Sequence, residues 1–200
     1  MNEDILIIGL GGTNGAGKDT VGIILQDDSG FRFVSVTEAM RKELIRRGLP
    51  VDREHLRELS AEWRRKSGLG VLVDRALELH SADAHKYHGL VVGSLRNPGE
   101  ADRVHELNGV VVWVDADPHV RYRRIQDNAH LRDRKTEDDL SFEEFIESEN
   151  AEMKTDDEHG MHMLGVKEKS DFFIDNTNLD LEGLRQELDK LLAKIKETKS

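Results

Sequence analysis

Gly12-Thr13-Asn14-Gly15-Ala16-Gly17-Lys18-Asp19-Thr20 decides how this chain is read, because glycines and a lysine at this spacing form a cradle for nucleotide phosphates. The glycines let the backbone bend until successive N–H groups point inward, and the helix that follows adds its positive N-terminal end. Lys18 is placed to reach the β- and γ-phosphates of a nucleoside triphosphate. The flanks agree with the motif. Ile5-Leu6-Ile7-Ile8 reads as a buried strand entering the loop, and Val21, Ile23, Ile24 and Leu25 as the apolar part of a helix leaving it. One position departs from the usual pattern: Asp19 stands where a Ser or Thr hydroxyl normally binds magnesium, with Thr20 one step later. Asp19 therefore either holds the metal, directly or through water, or caps the start of the helix.

The chain around this loop has 200 residues, 37% of them hydrophobic, which suits one domain with a sizeable core. A net charge of -11 argues against a nucleic-acid partner held through its phosphates, although a local basic pocket can still take small phosphorylated ligands. There is no cysteine, hence no disulfide framework, thiolate metal site or cysteine nucleophile. Met1-Asn2-Glu3-Asp4 lacks a basic leader and no apolar run reaches the ~18 residues that span a bilayer, so a cytoplasmic protein without membrane contact is expected. The chain says nothing of oligomeric state.

Strand-like runs alternate with helical patterns, which predicts a three-layer α/β fold around a five-stranded parallel sheet. The expected strands are Ile5 to Leu10, Phe31 to Val36, Leu90 to Ser94, Val110 to Val114 and Asp171 to Ile174. A helical insertion over 37–88 separates the second and third. Within it, Thr37 caps a helix that stops at Gly48, and Asp52 starts another that stops at Gly68. Leu69, Leu72, Val73, Ala76 and Leu77 mark a third by their spacing. Asp117-Pro118 is a helix entry after the fourth strand. Residues 128–160 are highly charged and read as a flap or a solvated surface helix. Leu181, Leu184, Leu188, Leu191, Leu192 and Ile195 form the docking face of a final helix.

In such sheets ligands bind at the carboxyl ends of the strands. Arginines cluster there: Arg96 after the third strand, Arg41 near the start of the helix after the second, Arg64 and Arg65 before Gly68. Arg121, Arg123 and Arg124 follow the fourth strand, and Arg132 and Arg134 lie in the flap. Guanidinium groups match phosphate oxygens bidentately and stay charged, so their convergence suits a site holding two phosphorylated ligands. The histidines at 80, 85 and 88 do not share a helical face, and neither they nor His159 and His162 show the ligand pattern of a zinc site.

Together these motifs resemble the nucleoside-monophosphate-kinase branch of P-loop kinases, relatives of adenylate kinase, dephospho-CoA kinase and deoxynucleoside-monophosphate kinases. The Gly-Lys-Asp-Thr ending is similar to some of the last group. Ser170-Asp171-Phe172-Phe173-Ile174-Asp175-Asn176-Thr177, followed by Leu181-Glu182-Gly183-Leu184, looks like the final strand and helix of dephospho-CoA kinases. The resemblance implies an ATP-dependent kinase with magnesium as cofactor and a small phosphorylated acceptor. It assigns residues 12 to 20 and Asn176 to ATP, Arg41, Arg64 and Arg96 to the acceptor, and Lys18, Arg124, Arg132 and Arg134 to catalysis. The insertion becomes the acceptor site and residues 128–160 the lid. Relatives usually carry an acidic residue at the end of the third strand, where this chain has Gly93 and Ser94. That departure motivates the alternative of an ATP-binding regulatory protein that transfers phosphate poorly. A GTP switch is disfavoured, because no Asn-Lys-x-Asp sequence occurs.

Overall fold

In a computed structural model that describes residues 5–81, 83–128 and 140–199, the apolar runs form one sheet. Its strands are β1 (Leu6–Gly12), β2 (Phe31–Ser35), β3 (Gly89–Gly93), β4 (Val110–Asp115) and β5 (Phe172–Asp175). Every neighbouring pair is parallel and the order is β2-β3-β1-β4-β5. All five expected strands are present, each displaced by at most two residues at an end.

A parallel strand covered on both faces needs apolar residues at successive positions, and their side chains then alternate between two cores. In β1, Ile7 joins one core and Ile8 the other; in β3, Leu90 and Val92 oppose Val91; in β4, Val111 and Trp113 oppose Val110, Val112 and Val114. The first core is closed by α2 (Val36–Arg47), α3 (Arg53–Ser67), α4 (Val71–Ser81), α5 (Pro98–Glu106) and α8 (Met163–Glu168). The second is closed by α1 (Lys18–Ser29) and α9 (Leu181–Thr198), whose Leu184, Leu188, Leu191 and Ile195 are buried.

Helix ends follow their capping chemistry. The Asp52 side chain accepts from the His55 amide at the start of α3, and Asp117 accepts from His119 and Val120 ahead of α6 (Pro118–Asp127). Gly48 and Gly68 end α2 and α3 as expected. The expected cap at Thr37 is corrected: α2 begins at Val36 with Ser35 as N-cap, because the strand gives way to helix without an intervening loop. Over its second half the acidic segment forms a surface helix with one packed face. Its α7 (Phe142–Met153) packs on α6 and α8, with Phe145 buried and its ring tilted against those of Tyr122 and Phe142. Residues 129–139, with Arg132 and Arg134, lie outside the described residues. Among the described residues no helix is long and apolar enough to cross a membrane.

β1 sits where the chain switches from building the sheet on one side (β2, β3) to the other (β4, β5). Crevices in open α/β sheets form at that point, outside the carboxyl ends of the strands. The glycine-rich loop leaves β1 into this crevice.

Candidate phosphoryl-transfer site

The loop at 12–20 is shaped by backbone constraints that only glycine meets. Gly12 has φ 142°, and a Cβ there would lie 2.0 Å from the Val114 carbonyl oxygen; Gly17, at φ 96°, would place one 2.7 Å from Nδ2 of Asn176. Gly17 is also the N-cap of α1, so the amides of the first turn are left to face a ligand.

Side chains from distant elements hold this loop. The Thr13 hydroxyl donates to Asp115 Oδ1 at the end of β4 (2.6 Å). Asn176, after β5, donates from Nδ2 to the Ala16 carbonyl (2.8 Å). Arg121 of α6, buried, donates to the carbonyls of Asn14 (3.2 Å) and Ala116 (2.8 Å) and pairs bidentately with Glu149 of α7. Asp115 also accepts from Trp113 Nε1 and the Ala116 amide. Burial alone would raise the Asp115 pKa, but the hydrogen bonds from Thr13, Trp113 and Ala116, with Arg121 nearby, outweigh it and hold the carboxyl below its ordinary value. The loop is thereby fixed before any nucleotide arrives.

Lys18 is buried in this arrangement, its ammonium donating to the Thr13 carbonyl (2.5 Å). Burial, followed by repulsion from Arg96, lowers its pKa to about 7. A bound polyphosphate would reverse that shift. At about pH 8, ATP binding is therefore expected to take up close to one proton, and the uptake to fade towards pH ~6, where the free protein already carries it. Calorimetry in buffers of different ionisation enthalpy measures this; Lys18→Met should show no uptake from this group, and equal uptake in both proteins would contradict the assignment.

A cleft of about 820 Å³ opens over the loop, lined by Asn14, Gly15, Gly17, Lys18, Asp19 and Thr20 and, across from them, by Arg41, Ser94, Arg96 and Arg124. Of the residues expected at the site, the cleft brings together Asn14, Gly15, Gly17, Lys18, Asp19, Thr20, Arg41, Arg96 and Arg124. Arg124 donates from Nη2 to the Asn176 carbonyl (2.8 Å), while its Nη1 is buried without a hydrogen-bond partner among the described residues. Such a donor costs about 1–3 kcal/mol until an acceptor reaches it. Arg64 departs from the expected acceptor role: its side chain is 1% exposed and pairs with Glu100 (2.7 Å), also donating to the His159 carbonyl (2.8 Å). Glu100 in turn accepts from the amides of Arg96 (2.6 Å) and Asn97 (3.2 Å), so Arg64 fixes the loop that presents Arg96.

Asp19 and Thr20 are exposed in the first turn of α1 and offer oxygen atoms to the cleft. Hard oxygen donors beside a phosphate site suit magnesium, which commonly takes one or two carboxylates and completes its shell with water and substrate phosphates. Gly93 and Ser94 supply no acid, as the sequence indicates; an acid stands two strands over, at Asp115 at the end of β4, bonded to the loop. Asp115 was not singled out from sequence, and Arg121 was named only as one of three arginines after the fourth strand. The signal was present in Asp115's position directly after an apolar strand, beside the more conspicuous Asp117-Pro118.

Against known proteins, the profile of one family, described as an AAA domain, matches residues 8–155. A UPF0200 protein of Pyrobaculum aerophilum is 24% identical over 194 residues, covering 96% of this chain and 99% of its own. A UPF0200 protein of Hyperthermus butylicus is 27% identical over 191 residues, covering 95% of each chain. Among solved structures, shikimate kinase from Bacteroides thetaiotaomicron superposes with a TM-score of 0.62 at 15% identity, covering 94% of this chain and 99% of its own. Shikimate kinase from Acinetobacter baumannii, in complex with shikimate, gives 0.56 at 18% identity over 98% and 95%. These superpositions show the α/β fold of P-loop kinases.

Proposed function

Because the chain belongs to this AAA domain family and carries a kinase-like P-loop fold, we propose that it is an ATP-dependent kinase whose acceptor is a nucleotide or nucleotide-like phosphorylated molecule. The observation that supports this most is that one cleft is lined both by the loop with Lys18 and by three arginines from other elements: Arg41 and Arg96, which follow β2 and β3, and Arg124 of α6, bonded to Asn176 beside the loop.

An acceptor oxygen forms a bond to the γ-phosphorus as the bond to the β,γ-bridging oxygen breaks, and ADP leaves. The protein's work in such a transfer is positioning and charge stabilisation. Loop amides and Lys18 hold the β- and γ-phosphates, and the unsatisfied Nη1 of Arg124 is available to a phosphate or leaving-group oxygen. Arg41 and Arg96 orient the acceptor. Arg132 and Arg134 retain their proposed part in closing over the reacting groups. Asp19 and Thr20 would hold magnesium, which when bound neutralises charge on the phosphates. An acceptor phosphate needs no general base.

The missing acid at Gly93-Ser94 keeps the regulatory, non-transferring alternative in view. A coupled ADP-release screen over ribo- and deoxynucleoside monophosphates and dephospho-CoA separates the two. ATP binding without acceptor-dependent release across that panel would support the alternative. With a productive acceptor, Arg41→Ala is expected to raise the acceptor KM about tenfold or more while ATP affinity changes little, as for loss of one charged contact worth ~1.5–3 kcal/mol. Equal losses for both substrates would contradict its placement.

A further inference from the structure

Ser94 lines the cleft over the phosphate loop and holds a backbone conformation that serine rarely adopts. Its φ is 68°, in the left-handed region, where a Cβ crowds the following carbonyl oxygen and glycine is at ease. The chain on either side dictates that turn. Gly93 ends β3 in register with Leu10 of β1, the Leu95 amide donates to the Leu10 carbonyl (2.9 Å), and the Leu95 side chain is buried in the first core. The Arg96 amide is then taken by Glu100 (2.6 Å). With both flanks fixed, the residue between them is kept at positive φ. Glycine would meet the requirement without strain. The serine hydroxyl offsets none of that strain inside the protein, because it enters no hydrogen bond among the described residues.

A strained residue whose polar group the fold does not use leaves a ligand as the partner of that group. Its place in the chain says which part of the ligand. Ser94 follows the strand paired with β1, the strand that feeds the phosphate loop, and it precedes by two residues Arg96, whose charge helps to depress the pKa of Lys18. It shares one cleft with both cations. We propose that Ser94 is a γ-phosphate ligand: its hydroxyl donates a hydrogen bond to a γ-phosphate oxygen of the bound triphosphate and orients that group. That the group so held is the one transferred rests on the kinase reading; the contact itself requires only a bound triphosphate.

The test compares ADP with the β,γ-imido analogue of ATP, measured by calorimetry on the full chain, for the unaltered protein, Ser94→Ala and Ser94→Gly. Both variants are expected to bind the analogue about tenfold more weakly while ADP affinity holds within about twofold, as for loss of one hydrogen bond to a charged group. Stability is expected to split them. Glycine relieves the backbone, so Ser94→Gly should melt roughly 2–4 °C above the parent, whereas Ser94→Ala keeps the strain and should not. Equal preference for the analogue over ADP in all three proteins would overturn the proposal. So would a loss in Ser94→Ala that Ser94→Gly does not share, which would assign the effect to the backbone, or a loss seen only with magnesium present, which would assign it to the metal. Failure of Ser94→Gly to melt higher would remove the premise and overturn it as well. None of these measurements involves turnover, so an acceptor panel that releases no ADP would defeat the kinase reading and leave the contact to stand or fall by itself.

Discussion

Lys18→Met is expected to lower phosphoryl transfer by about 10²- to 10³-fold, the usual cost of deleting one preorganised group aimed at developing charge. The fold should survive, and the reason lies in the free protein. Lys18 is buried and its pKa is depressed to about 7, so an ammonium there is disfavoured in the folded state. Between pH ~7 and ~10.5 the unfolded chain binds more protons at this residue than the folded one, and stability therefore rises with pH through that window. Methionine retains an apolar stem and carries no charge to desolvate. The variant should melt no lower than the parent at neutral pH and lack this rise. A variant that loses activity only because it unfolds would contradict the role given to Lys18.

Arg64→Met is expected to destabilise the protein by about 3–5 kcal/mol, because it strands a buried charge. Glu100 is 0% exposed, and Arg64 is its salt-bridge partner at 2.7 Å. Its two amide contacts, from Arg96 and Asn97, cannot replace a cation. Loss of Arg64 also frees the His159 carbonyl and loosens the backbone that carries Arg96, so the acceptor KM should rise in any molecules that remain folded. Denaturant unfolding measures the first effect. A loss below about 1 kcal/mol would place this pair among solvated surface bridges and contradict its burial.

The comparison of these two residues shows what the sequence made legible. Lys18 was identifiable because its chemistry is local: three glycines, a strand before and a helix after define its position within a few residues. The sheet was legible for a similar reason, since residues such as Val110 to Val114 satisfy both faces of a covered strand without reference to anything distant. Arg64 was misplaced because its partner lies 36 positions away, and nothing in the spacing marks Glu100 as the acid that would bury it. Asp115 and Thr13 meet across 102 positions, and Arg96 and Glu152 across 56. In a chain with 40 acidic residues, the few that are enclosed look like the many that are not until the packing of α7 and the strand order are known.

The reaction proposed for the cleft is transfer of a phosphoryl group from ATP to a second, phosphorylated molecule. It is tested most directly by following labelled γ-phosphoryl from ATP into the acceptor, with dephospho-CoA and the ribo- and deoxynucleoside monophosphates offered in turn. Label is expected to appear in one acceptor class, in step with ADP and dependent on Lys18. Label found only in inorganic phosphate, or retained in ATP with every acceptor, would contradict it.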